Sequence, residues 1–270
     1  MNESWYKNTL AIISILFLAV ILEYVRKCKI NSMFEVKDIN SESSSIGSVL
    51  LIIAHPDDEI MFWTPTIKSL ISNKIPMKIL CLSNGNYDGL GPLREKEFDN
   101  LSRLLNFPDN QIIDIPELQD NIKKKWDPSV VSEQIEEFLK NNEDVKTVLT
   151  FDSNGVTKHP NHISCYNGLK HFLNKNSNEC RKRLIKVYTL DSFNFFLQYS
   201  MILPMFYTFF KRYGYFTINF FTSYKWMRYY ETQFNLLRKV HVICSGYSYF
   251  NSYTKIEYII IQNRFKININ

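Results

Sequence analysis

The chain has 270 residues, of which 45% are hydrophobic and 22% are charged. This composition excludes a disordered polymer, and the length allows one large domain or two small ones. The net charge of +5 is more consistent with binding of an anionic small substrate or a lipid surface than with binding of nucleic acid. The five cysteines form no CxxC pair, which predicts free thiols in a reducing compartment: Cys28, Cys81, Cys165, Cys180 and Cys244.

The N-terminus carries an apolar run over residues 10–22. The run alone is shorter than the ~20 residues of a bilayer span, but Trp5 and Tyr24 stand where interfacial aromatics would lie. We therefore predict a single transmembrane helix within residues 1–30. Basic residues follow the run, and the positive-inside rule then places the rest of the chain in the cytosol: Arg26, Lys27 and Lys29. A cleaved signal peptide and a buried helix are the alternatives, and residues 31–47 are predicted to be a polar linker.

Strand and helix signals alternate along the next part of the chain. Apolar, β-branched runs predict strands at 48–54, 77–85, 111–117, 145–152 and 184–192. Helical signals occur at 64–73, 92–107, 127–141 and 159–174. In the first of these helices, Thr64 is the predicted N-cap and Pro65 the first helical residue. The alternation predicts an α/β, Rossmann-like domain with a mostly parallel sheet and helices on both faces.

Polar loops follow three of the predicted strands, at residues 55–59, 83–91 and 152–162. Ligands of open parallel sheets bind beyond the carboxyl ends of the strands. The three loops are therefore predicted to meet at one site.

Two of these loops contain residues that could bind a metal ion. His55 and Asp58 follow the first strand, and His159 and His162 lie three residues apart at a helix start. Two imidazoles and a carboxylate around an open position describe a catalytic zinc site. Paired histidines also occur at helix starts without metal, and a run of three carboxylates is often a solvated first helical turn. The occurrence of both motifs at strand ends favours the metal site.

Three motifs closely resemble the PIG-L/LmbE family of sugar N-deacetylases: AHPDDE (54–59), SNGNYDGLGPLREKE (83–97) and FDSNGVTKHPNH (151–162). The likeness is greatest to the eukaryotic N-acetylglucosaminyl-phosphatidylinositol de-N-acetylases. The resemblance covers residues 48–192, and a weaker similarity occurs at 230–253. The resemblance implies an LmbE-like catalytic domain that deacetylates N-acetylglucosaminyl-phosphatidylinositol early in GPI-anchor biosynthesis. It also implies a single-pass endoplasmic-reticulum protein with its catalytic domain facing the cytosol.

The resemblance also implies roles for individual residues. His55, Asp58 and His162 would hold a divalent metal, for which Zn²⁺ is the expected ion, and Asp57 would be the general base. His159 would stabilise the oxyanion and is the candidate to protonate the leaving amine, while Glu59 is expected to be structural. Asn161 stands where many bacterial relatives have aspartate, so it cannot supply the carboxylate that would tune the pKa of His159. Arg94 and Asn161 are the predicted substrate-binding residues, Arg94 through the phosphodiester; a helix salt bridge from Arg94 to Glu97 is the alternative.

Residues 193–270 form an aromatic-rich C-terminal extension. We expect it to pack on the catalytic domain and to be a candidate for contact with the membrane. Two other functions remain open: N-deacetylation of a soluble N-acetyl sugar conjugate, and a catalytically inactive membrane scaffold with the same fold. No nucleic-acid partner is predicted.

Overall fold

The computed structural model describes residues 7–14, 33–37, 44–107, 109–200, 203–211, 213–216 and 221–257. The predicted transmembrane segment within residues 1–30 falls mostly outside this set, and its described part, 7–14, is helical. Within the described residues, no helix combines the apolar character and the length that a membrane span requires.

The strands form a two-stranded and a seven-stranded sheet. They are β1 (Glu35–Lys37), β2 (Ser44–Ile46), β3 (Ser48–Ile53), β4 (Met77–Cys81), β5 (Asn110–Ile112), β6 (Val145–Phe151), β7 (Lys186–Leu190), β8 (Tyr213–Phe216) and β9 (Phe250–Ile256). The large sheet has the order β5-β4-β3-β6-β7-β9-β8. Neighbours from β5 to β7 are parallel, whereas β9 is antiparallel to both β7 and β8. The predicted α/β class is confirmed, with a mixed sheet.

Ten helices of four or more residues accompany the sheets within the described ranges, and residues 33–34 are also helical. They are α1 (7–14), α2 (Asp58–Ser72), α3 (Gly91–Leu104), α4 (Pro128–Asn141), α5 (Gly155–Lys158), α6 (Pro160–Lys182), α7 (Phe195–Tyr199), α8 (Leu203–Phe210), α9 (Thr222–Met227) and α10 (Leu236–Cys244). Short 3₁₀ turns occur at Asn86–Asp88, Pro116–Leu118 and Gly246–Ser248.

The centre of the sheet is built from the strands that the sequence predicts. β3 lies between β4 and β6, and every residue of β3 and β4 is buried. Continuous apolar strands of this kind are buried on both faces, which explains why they show no alternation of polar residues. The four described cysteines are free thiols, and three of them are buried in this core: Cys81, Cys165 and Cys180.

The C-terminal segment completes the sheet. β9 pairs with β7 from Val187↔Ile256 to Leu190↔Tyr253, and β8 pairs with the outer edge of β9. The aromatic residues of this segment include buried Tyr215, Tyr230 and Tyr247. This segment therefore supplies core residues next to the parallel strands.

The prediction that the first helix begins near Thr64 is wrong. α2 begins at Asp58, with Asp57 as its N-cap, and Pro65 lies inside the helix. A proline has no N–H to donate, so the Met61 carbonyl four residues earlier loses its helical partner. His241 from α10 donates its Nε2–H to that carbonyl at 3.3 Å. The His241 side chain thus supplies the hydrogen bond that Pro65 cannot donate to the Met61 carbonyl.

His241 should make stability depend on pH. Burial lowers the pKa of this imidazole from 6.5 to about 4, so between these values the unfolded chain binds more protons than the folded one. Its contribution is complete above pH 6.5 and is lost as pH falls, by about 2 kcal/mol between pH 7.5 and pH 5. The measurement is urea unfolding, with a chelator present, of the wild type and of His241→Gln, which retains a donor but does not titrate. An equal loss of stability on acidification in both proteins would contradict this assignment.

Close packing of α6 on α4 depends on Gly168. A Cβ at this position would lie 2.1 Å from Cγ1 of Val131. Gly168→Ala should therefore lower the free energy of unfolding by about 1–2 kcal/mol, even though alanine favours helix by about 1 kcal/mol. Lys170→Ala, at an exposed position of the same helix, is the matched control and should change it by less than about 0.5 kcal/mol. A Gly168→Ala protein as stable as the wild type would show that the helices separate without cost.

Candidate active site

A cleft of about 670 Å³ opens at the carboxyl end of the parallel strands. Residues from all three predicted loops line it: His55, Asp57 and Asp58 after β3, Tyr87 and Asp88 after β4, and Thr157, His159 and His162 after β6. The C-terminal segment closes the opposite wall, with residues that include Arg238 and His241. The loops therefore meet as the strand order predicts.

Three histidines converge on one point in this cleft. His55, His159 and His162 each offer a ligand atom, and these atoms lie within 4.8 Å of one another. Asp58 adjoins them, with Oδ1 at 3.2 Å from His162 Nε2 and Oδ2 at 3.7 Å from His55 Nδ1. The three predicted metal ligands, His55, Asp58 and His162, are thus neighbours, whereas the side chains whose ligand atoms lie close enough to share an ion are, among the described residues, His55, His159 and His162. Metal binding by His55, Asp58 and His162 stays a prediction.

The orientation of His162 suits a shared cation. Its Nδ1 lies 3.1 Å from the Gly155 carbonyl, which can only accept a hydrogen bond, so Nδ1 carries the proton. In the neutral ring, Nε2 then presents a lone pair to Asp58 Oδ1 at 3.2 Å. Two acceptors face each other at this distance only if a proton or a cation lies between them. A second hydrogen bond that fixes the tautomer is characteristic of metal-binding histidines, so the donor set fits a dication.

The electrostatics of the ligand set favour an ionised Asp58. Burial alone would raise its pKa, but the His162 and His55 imidazoles and the His55 backbone N–H lower it well below the ordinary value. The Ala54 and His55 N–H groups donate to Asp58 Oδ2 at 3.1 and 2.9 Å. Asp58 is therefore held as a carboxylate with one oxygen directed at His162.

Asp57, the predicted general base, is buried at the N-terminus of α2. Its φ of 105° is a left-handed conformation that costs a residue with a Cβ on the order of 1–3 kcal/mol. The carboxylate accepts a hydrogen bond from Arg238 Nε at 2.7 Å and lies 3.5 Å from the Arg94 guanidinium. The strained backbone and the two arginines hold this carboxylate in the cleft beside Asp58.

Glu59 does not line the cleft but contacts the backbone of Asp57. Its Oε2 accepts a hydrogen bond from the Asp57 N–H at 3.2 Å, and Oε1 accepts one from the Tyr230 hydroxyl. Burial raises the pKa of the Glu59 carboxyl to about 8 despite the hydrogen bond from Tyr230. These contacts favour the structural role expected for Glu59.

His159 caps α6 and faces the same cleft. Its Nδ1 accepts a hydrogen bond from the Asn161 N–H at 3.3 Å, which leaves the ring proton on Nε2. Burial, followed by the charges of His162 and His55, lowers the pKa of His159 to about 4. A neutral ring with a free Nε2–H is suited to donating a hydrogen bond, and less suited to acting as an acid near pH 7.

The two predicted substrate-binding residues are both buried. Arg94 donates hydrogen bonds to the Pro56 carbonyl at 2.6 Å and the Gly85 carbonyl at 2.9 Å, and it lines the cleft. Glu97, the alternative partner of Arg94, instead accepts hydrogen bonds from Thr232.

Asn161 contacts the loop that precedes α4. Its Oδ1 accepts from the Asn121 N–H at 3.1 Å and lies 3.2 Å from His55 Nε2, while Nδ2 donates to the Lys124 carbonyl at 3.3 Å. These contacts position His55. Substrate binding by Arg94 and Asn161 stays a prediction.

Two charged residues of the site were missed in the sequence. Asp120 lies 3.1 Å from His55 Nε2, and with Asp58 it raises the pKa of His55 although burial opposes this. Asp120 follows β5, so the strand-end rule applied to that strand would have found it. Arg238 lies on α10, and no sequence signal connects it to a loop 181 residues earlier.

Comparison with known proteins confirms the family resemblance. Residues 50–173 match the family model described as "PIG-L: GlcNAc-PI de-N-acetylase". A Schizosaccharomyces pombe protein named "Probable N-acetylglucosaminyl-phosphatidylinositol de-N-acetylase" is 37% identical over 161 residues, which cover 58% of this chain and 62% of that protein. A Bos taurus protein named N-acetylglucosaminyl-phosphatidylinositol de-N-acetylase is 37% identical over 117 residues, 43% of this chain and 46% of that protein. The matches thus span less than two thirds of the length of these relatives.

Solved structures show the same fold at low sequence identity. The N,N'-diacetylchitobiose deacetylase from Pyrococcus horikoshii superposes with a TM-score of 0.55 at 15% identity, over 78% of this chain and 84% of that one. A conserved protein from Thermus thermophilus gives a TM-score of 0.51 at 14% identity, over 79% of this chain and 96% of that one. The α/β architecture is therefore shared with a sugar deacetylase.

Proposed function

We propose, from the similarity of residues 50–173 to the PIG-L family, that this chain deacetylates N-acetylglucosaminyl-phosphatidylinositol. The products are glucosaminyl-phosphatidylinositol and acetate, and the reaction is an early step of GPI-anchor biosynthesis. The observation that carries the proposal is the convergence of His55, His159 and His162 beside Asp57 and Asp58 in one cleft. The names of the relatives support the choice of substrate.

The metal-binding residues in this proposal are His55, Asp58 and His162. Imidazole nitrogens and a carboxylate are the donors that a catalytic zinc site uses, so Zn²⁺ is the proposed ion. When bound, such a dication polarises the acetyl carbonyl and lowers the pKa of a water to ~7.

The remaining side chains would then move the proton and hold the substrate. A carboxylate oxygen of Asp57 would accept the proton of the attacking water and return it to the amine nitrogen as the C–N bond breaks, and Arg238 would keep that carboxylate in place. His159 donates its Nε2–H to the acetyl oxygen as negative charge develops there. Arg94 is the proposed contact to the inositol phosphate, and Asn161 supports the site by holding His55.

The proposed location is the endoplasmic-reticulum membrane, with the catalytic domain of residues 48–192 facing the cytosol. A single span within residues 1–30 and the linker of 31–47 belong to this proposal. They rest on the apolar run and on the basic residues that follow it. Residues 193–270 are assigned to the wall of the cleft and to contact with the membrane.

The test is to convert acetylated glycolipid with membranes from cells that express the chain. The expected result is chelator-sensitive formation of glucosaminyl-phosphatidylinositol, with little reaction of a soluble N-acetyl sugar conjugate. Faster reaction of the soluble conjugate would favour the alternative deacetylase. No reaction with either compound in zinc-replete membranes would favour an inactive scaffold.

A further inference from the structure

Large apolar side chains are exposed around the mouth of the catalytic cleft. Six of them line the cleft and are between 41% and 79% exposed: Tyr87, Ile122, Phe195, Tyr199, Leu237 and Val240. They come from four separate parts of the chain, so they are not the apolar stripe of a single helix. Contiguous exposed apolar surface of this kind marks an interaction site.

The apolar surface continues beyond the cleft on α7 and α10. Leu236 is 74% exposed and Phe196 is 80% exposed. On α10, Leu236, Leu237, Val240 and Ile243 are exposed, whereas Val242 is fully buried. The outward face of this helix is thus as apolar as its inward face.

Charge at the rim is suited to an anionic surface. Lys123, Lys124 and Lys125 are exposed and directly follow Ile122, which lines the cleft, and Asp88 is an exposed carboxylate of the same lining. Basic residues near the surface of an anionic membrane strengthen binding to it. Exposed aromatic and aliphatic side chains beside lysines are the pattern of an interfacial membrane surface.

We propose that the rim formed by residues 87, 122, 195–199 and 236–243 docks on an anionic phospholipid bilayer, with the catalytic cleft opening toward the lipid headgroups. This inference rests on the proposed function, since a glycolipid headgroup could then enter the cleft while its acyl chains stay in the membrane. Lipid is the proposed occupant because three exposed lysines directly follow Ile122, one of the exposed apolar residues that line the cleft.

The depth of the rim in a bilayer can be measured with the full chain. The background is Cys28→Ser/Cys244→Ser, and a fluorophore is attached to one cysteine introduced at a time, by Leu236→Cys or Phe196→Cys. Leu104→Cys on α3 is the matched control because Leu104 is 53% exposed. The proteins are reconstituted in vesicles of phosphatidylcholine and phosphatidylinositol that contain brominated acyl chains. A docked apolar face lies ~5–10 Å into the boundary between headgroups and acyl chains, so labels at 236 and 196 should be quenched at least about threefold more than at 104.

A water-soluble quencher separates the other occupants. Labels that iodide reaches but brominated lipid does not would overturn the proposal by showing a rim in water. Labels shielded from both quenchers would also overturn it and would indicate a protein cover, such as a second copy or the N-terminal segment.

The turnover rates of variants at Leu236 and Phe196, which do not line the cleft, provide a second and independent test. Leu236→Ser and Phe196→Ser should reduce turnover of bilayer-embedded N-acetylglucosaminyl-phosphatidylinositol by roughly tenfold, because an anchoring side chain is lost. Turnover of an acyl-free, water-soluble analogue should not change. Equal loss on both substrates would contradict docking. If the wild type turned over neither substrate, the proposed function would fail, while the quenching result would still decide the docking.

Discussion

Asp57→Ala should abolish deacetylation while the protein still binds its metal. Loss of a general base lowers turnover by ~10²–10⁴-fold, and Asp57 is not among the proposed metal ligands. Asp57→Asn should be equally inactive, although its amide oxygen can still accept the hydrogen bond from Arg238. The measurements are the turnover rate on the acetylated glycolipid and the zinc content of the purified variants.

The control for Asp57 is Asp114→Ala, which removes an exposed carboxylate after β5. It should retain the wild-type rate. If Asp57→Asn were folded, zinc-loaded and as active as the wild type, another group would have to accept the proton.

His162→Ala and Asp58→Ala should each lose both the metal and the activity. Removal of partners that only orient metal ligands costs ~10–100-fold in metal affinity, so removal of a ligand should cost at least about a hundredfold. Zinc content after dialysis and a competition titration with a chromophoric chelator measure this loss without reference to activity.

His171→Ala is the matched histidine control for the metal site. His171 is exposed on α6, the helix that also carries His162, and its removal should leave zinc affinity unchanged. Undiminished zinc affinity in His162→Ala would contradict the assignment of the ligands.

Local sequence signals were sufficient for the part of the site that the parallel strands carry. The buried runs of β3 and β6 are continuous and apolar, and the residues that follow them lie at one edge of the sheet by the rule for parallel strands. The rule for parallel strands therefore predicts that His55, Asp58 and His162 lie together.

The opposite wall of the cleft depends on packing that no local pattern reveals. Arg238 and Tyr230 reach Asp57 and Glu59 from segments more than 150 residues away, and β9 inserts antiparallel between β7 and β8. The start of α2 was missed for the same reason, since the partner of the Met61 carbonyl is His241 on α10. Long-range contacts of this kind are set by the tertiary fold.

We propose that water cleaves the N-acetyl amide of the glycolipid in this cleft. The most direct measurement is to incubate the purified, zinc-loaded protein with N-acetylglucosaminyl-phosphatidylinositol in ¹⁸O-labelled water and to analyse both products by mass spectrometry. We expect glucosaminyl-phosphatidylinositol and acetate in equal amounts, with one solvent oxygen in each acetate. Unchanged glycolipid, or acetate without solvent oxygen, would contradict the account.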